Sequence, residues 1–121
     1  MNTRVRNKLI QLARIDSAPI SYRRLINTTE LGLNLDIKHE KQLLGTILDE
    51  ISEEEYEDKR PLLSVMVQDK KNGQGDRFYK LAEQLGFGEW KELKNDEAFK
   101  EEQIKKCKEF WQNEENYKKY F

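Results

Sequence analysis

Residues 37–57, IKHEKQLLGTILDEISEEEYE, place Leu44, Ile47, Leu48 and Ile51 on one stripe at helical spacing. A helix of that length must bury its stripe against partners, so the rest of the chain has to be arranged around it. Asp36 stands where an N-cap is wanted. Pro61 sets the far limit, because the residue before a proline is pushed out of the α region. Beyond it, Leu63, Val65 and Val67 alternate with Ser64, Met66 and Gln68, a period-two pattern that predicts a strand. The following DKKNGQGD is turn chemistry, since asparagine before glycine accepts positive φ. RFYKLAEQLG then either returns as a strand through Phe78 or starts a short helix, closed by Gly86 and Gly88.

On the N-terminal side, Val5, Leu9, Leu12 and Ala13 predict a helix over 2–14, with Asn2 or Thr3 accepting its first amides. Asp16, Ser17 and Pro19 end it. Ile20, Ser21 and Tyr22 read as a very short extended piece leading into a second helix to about residue 28, with Leu25 and Ile26 inward. NTTELGLNLD is a loop. The last segment, 95–117, has Asp96 near its start and Phe99, Ile104, Cys107 and Trp111 along one face, which predicts a single terminal helix packing back on the core. The expected class is therefore mainly α with a small β component (α+β). The element order suggests a winged-helix-like core over 1–88 and a C-terminal helical extension over 89–121, together one domain.

Composition narrows the functional classes. At 121 residues and 36% hydrophobic, the chain can bury a core without disulfides or a structural metal. Twenty-two basic residues face 23 acidic ones, so a net charge of −1 offers no bulk attraction to nucleic acid or anionic membrane, and any electrostatic site must be local. One cysteine, Cys107, and one histidine, His39, make no intramolecular disulfide and no zinc set. Arginines interrupt the first twenty residues, no apolar run reaches membrane-spanning length, and the expected setting is the cytoplasm. Neither a Walker loop nor a dinucleotide fingerprint occurs, and no cofactor is expected.

The stretch EISEEEYEDKRPLLSVMVQDKKNGQGDRFYKLAEQLG, with ISYRRL ahead of it and EFW in the last helix, resembles a family of small bacterial proteins of uncharacterised function with a winged-helix-like fold. Glu50, Ile51, Glu54, Arg60, Pro61, Leu62, Leu63, Ser64, Gly73, Gly75 and Phe78 carry the resemblance. Where the family pattern has glycine immediately before the aromatic, this chain has Asp76 and Arg77. The resemblance implies a fold and no activity. More loosely, Ile20-Ser21-Tyr22 is similar to the segment that opens the positioning helix in alkyltransferase-like DNA-binding proteins, but the Pro-Cys-His-Arg nucleophile motif of that family is missing.

Phosphate binding needs positive charge concentrated locally. Arg4, Arg6, Arg23, Arg24, Lys38 and Lys41, with Lys70 and Lys71 at the glycine turn, are the candidate nucleic-acid contacts. Only the N-terminal turns of the long helix can approach DNA, because Asp49 through Asp58 load its far end with carboxylates. Those carboxylates raise a second reading. Glu50 and Glu54 lie one turn apart with Arg60 just past the helix end and Ser64 beyond, a set that suits acid–base chemistry only if all converge on one pocket. A structural salt-bridge cluster is the competing account, and the enzyme reading ranks last. A third reading takes the acidic helix end and the aromatics Phe110, Tyr117, Tyr120 and Phe121 as a surface for a protein partner, in a bacterial or phage accessory factor, or for a homodimer through the C-terminal helix. His39 reads as a surface residue.

Overall fold

The computed structural model describes residues 1–69 and 73–121. Helix α1 spans Thr3–Arg14, with the Asn2 side chain accepting from the Val5 amide at 3.0 Å, as a capping asparagine should. Strand β1, Ile20–Ser21, runs straight into α2, Tyr22–Thr29, where the Ser21 hydroxyl accepts from the Arg24 amide. Glu30 in the left-handed region (φ 55°) ends α2. Helix α3 spans Lys38–Glu57 and buries Leu44, Leu48 and Ile51 along the stripe that its sequence marks out. Asp36 does not cap it. The helix begins one residue later than that role requires, Ile37 takes the cap position, and the Asp36 amide donates to Asn34 Oδ1 instead.

The strand expected across 62–68 is the main correction. Leu63–Met66 is a 3₁₀ turn, and only Val67–Gln68 forms strand β2, which pairs in parallel with β1 through Ile20 and Val67, Ser21 and Gln68. Alternation misleads here because every residue from Leu62 to Val67 is buried. The segment packs against α1, α3 and α6 (Glu97–Gln112), so no solvent face selects a period of two.

Of the two options left open downstream, the helix forms: α4 spans Asp76–Gln84, and Gly86 (φ 95°) follows it. The single helix expected over 95–117 is instead two, α6 and α7 (Glu114–Tyr120), and a separate short helix, α5 (Trp90–Asn95), precedes them. Asp96 and Asn113 are the cause. Each leaves the helical region and accepts an amide from the next helix, Asp96 from Ala98 at 3.0 Å and Asn113 from Asn116 at 3.1 Å. The break at Asn113 lets α7 double back on α1, where the Arg14 guanidinium lies 3.7 Å over the Tyr117 ring and donates to the Trp111 carbonyl and to Glu114.

The fold is thus mainly helical with a small two-stranded sheet and a helical C-terminal part, an α+β arrangement. One contiguous core runs from Val5 and Leu9 of α1 through Leu44 and Ile51 of α3 to Cys107 and Trp111 of α6. No helix among the described residues is long and apolar enough to cross a membrane.

Candidate functional site

The cations marked out by the sequence meet different fates. Arg6 is buried: its Nε donates to Glu55 Oε1 at 2.6 Å and its guanidinium to the Tyr120 carbonyl at 2.8 Å, so no phosphate can reach it. Arg4 is exposed but leans on Glu30 at 3.6 Å. Arg23, Arg24 and Lys38 are exposed and form no ion pair among the described residues. Lys41 is half exposed, 3.5 Å from Asp69. Lys70 and Lys71 lie outside the described residues.

What the fold brings together is a recess of about 540 Å³ where the first turns of α3 meet the start of α4, with Tyr22 of α2 on its wall. Lys38 and Lys41 contribute from α3, Arg77 from α4 and Lys94 from α5, against Asp69 and Asp76. Gly45 makes room for the close approach of Arg77 across α3: a Cβ there would stand 2.7 Å from the Arg77 side chain. Arg77 donates to Asp49 at 2.8 Å and to the Thr46 hydroxyl at 3.2 Å, and Lys94 pairs with Asp76. Burial pushes the Asp49 carboxyl up, against the pull of Arg77. Burial, with the charges of Asp69 and Asp49, pushes the Tyr22 phenol up to about 12, although Arg77 acts the other way. That hydroxyl therefore stays a hydrogen-bond donor throughout the neutral range.

The other candidate set does not assemble as its spacing suggests. Glu50 and Glu54 are exposed, and the carboxylates that meet Arg60 are Glu55, fully buried between Arg60 and Arg6, and the exposed Asp58 at 3.3 Å. Ser64 is buried against Ser52, with their hydroxyls 2.7 Å apart and the Ser64 amide donating to Ser52 Oγ at 3.0 Å. Arg60 and Ser64 are each engaged in structural bonding. Among the described residues no group of three or more His, Cys, Asp or Glu is placed to hold a metal ion, and His39 is exposed.

Sequence reasoning missed Glu55, Tyr22, Gln74, Arg77 and Lys94. For Glu55 the signal was present: it follows Ile51 by four on the buried face of α3, so the apolar stripe runs directly onto a carboxylate. The other four come from separate elements and share no local pattern.

A second concavity, about 850 Å³, lies between the acidic end of α3 and the face of α6 that carries Phe110. Tyr56, Pro61, Leu62, Phe87 and Phe110 give it an apolar floor, with Tyr56 and Phe87 in edge-to-face contact at 5.5 Å. The C-terminal aromatics are mostly folded in: Phe110, Tyr117 and Tyr120 pack on the core, and Phe121 stays about half exposed.

No known protein family, curated protein or solved structure matches the chain.

Proposed function

We propose that the protein binds nucleic acid through its phosphates and performs no chemistry of its own. The supporting observation is the trio Arg23, Arg24 and Lys38, exposed and unpaired among the described residues, with Arg23 next in the chain to Tyr22 on the recess wall and Lys38 on the recess itself. In the manner of a winged helix, α2 positions and the N-terminal turns of α3 approach the groove. Lys41 joins them by giving up its loose contact with Asp69. Arg6 takes no part. Three or four phosphate contacts imply that log K falls with log salt with a slope of about −3. Fluorescence anisotropy of a labelled duplex across a potassium chloride series measures it. Replacing Arg23 and Arg24 by alanine flattens the slope by about 2. No binding at the lowest salt overturns the reading.

The apolar groove supports a second reading, a protein-interaction or inhibitory accessory factor. It lies where the carboxylate-rich end of α3 faces the aromatic side of α6. Tyr56, 40% exposed at the groove, is the residue to test. A nuclease-insensitive, stoichiometric partner that is retained by the native chain and lost by Tyr56→Ala supports this reading. A partner retained equally by both counts against it. Self-association through the C-terminal helix is a form of the same reading, checked by sedimentation of the purified chain.

A further inference from the structure

Two helices begin at the recess, and neither start is capped by a side chain: α3 opens behind Ile37 and α4 behind Gly75. Uncapped starts turn the positive end of the helix dipole toward an anion. Around them, among the described residues, four cations, Lys38, Lys41, Arg77 and Lys94, face two carboxylates, Asp69 and Asp76. Asp49 behind Arg77 trims the positive excess without cancelling it.

A separate observation comes from Gln74, which lines the same recess and is 6% exposed. Its Nε2 donates to the Val65 carbonyl at 2.7 Å, which fixes which way the amide points, and its buried Oε1 receives no hydrogen bond from the described residues. A stranded buried acceptor is destabilising and calls for a donor from elsewhere. The Tyr22 hydroxyl on the wall bonds no described residue and offers a donor in turn.

We infer that the recess is a nucleotide site: a phosphomonoester sits among Lys38, Lys41 and the two helix starts, while an N–H or O–H of the attached nucleoside satisfies Gln74. A terminal phosphomonoester presents three oxygens to accept from Lys38, Lys41 and the helix starts, where an internal phosphodiester has only two. The volume lies in the range of about 300–1,000 Å³ typical of small-ligand sites. The group arrives either on the phosphorylated end of a strand, a source that rests on the nucleic-acid reading above, or as a free nucleoside monophosphate.

The test compares four probes on the intact chain: a single strand bearing a 5′-phosphate, the same strand ending in a 5′-hydroxyl, adenosine monophosphate, and inorganic phosphate. The phosphorylated strand binds about tenfold more tightly than its hydroxyl counterpart, the worth of one charge-assisted hydrogen bond. Lys38→Ala, at an exposed position, removes most of that preference. Gln74→Leu weakens adenosine monophosphate but leaves inorganic phosphate unchanged, a separation that a merely structural glutamine would not produce. Arg23→Ala with Arg24→Ala lowers both strands alike and spares the preference. Equal binding of the two strands with no binding of adenosine monophosphate overturns the nucleotide site while the nucleic-acid reading stands. Binding of adenosine monophosphate without either strand upholds the site, identifies the free nucleotide as its source, and removes the nucleic-acid reading. Binding of none removes both.

Discussion

Replacing Glu55 by alanine tests the most heavily buried charge in the fold. Its side chain is fully buried, and those of Arg6 and Arg60 are only 8% and 12% exposed. The carboxylate bonds both guanidiniums at once, one from α1 and one from the segment leaving α3, and Arg6 passes the connection on to the Tyr120 carbonyl of α7. Removing it leaves two like charges close together, with Asp58 and the Tyr120 carbonyl as their remaining bonding partners among the described residues. Breaking such a buried set costs about 3–5 kcal/mol, because neither cation regains the water it gave up. A small domain holds only about 5–15 kcal/mol in total, so the variant sits near the edge of unfolding. Urea denaturation followed by circular dichroism reads the loss as a midpoint lower by about 2 M, taking a slope of about 2 kcal/mol/M. Replacing all three by apolar residues of similar size, Arg6→Met, Glu55→Leu and Arg60→Met, restores most of the loss, since the charges stabilise the fold only relative to one another. A Glu55→Ala midpoint equal to that of the native chain refutes the argument.

Ser52→Ala strands both the hydroxyl and the amide of Ser64, which costs about 2 kcal/mol and lowers the thermal midpoint; an unchanged Tm contradicts the bonding described. Cys107 is fully buried, and burial together with the Glu55 charge pushes its thiol up to about 12, so a disulfide reagent at neutral pH labels it no faster than the chain unfolds. Rapid stoichiometric labelling of the native protein would count against that placement. In the fold, Cys107 and Tyr22 keep their protons to about 12, whereas their ordinary values are 9.0 and 10.0, so above those values the unfolded chain releases protons that the folded one holds. Their joint effect on stability is therefore flat below about pH 9 and becomes a loss as pH rises from there to about 12. Cys107→Ala with Tyr22→Phe removes this part of the alkaline loss in denaturation series, and a native-like pH profile in that variant would be inconsistent with the assignment.

Several elements were readable because their causes are local. Asn2 caps α1 from three residues away, the stripe Leu44, Leu48 and Ile51 repeats at the helical period, and Pro61 lies beyond an α3 that ends at Glu57. Capping and periodicity act over one or two turns, so the order of residues alone carries them. The readings that failed did so where distant parts decide. Alternation over 63–68 promised a strand, yet cover on every side by α1, α3 and α6 turned four of those residues into a 3₁₀ turn. Asn113 interrupted the last helix, and α7 then folded back far enough for Tyr120 to meet Arg6, 114 positions earlier.

The charges divide in the same way. By itself the chain determined how many cations it has and which stretches hold them, and hence that any anion site had to be local. Only the tertiary structure decided which remain available: Arg6 was consumed by a carboxylate 49 positions away, Lys41 faces Asp69, and Arg23, Arg24 and Lys38 were left to solvent. Whether a charge is spent depends on which opposite charge folding brings within a few ångströms and how much water it excludes, and neither is encoded in sequence neighbours.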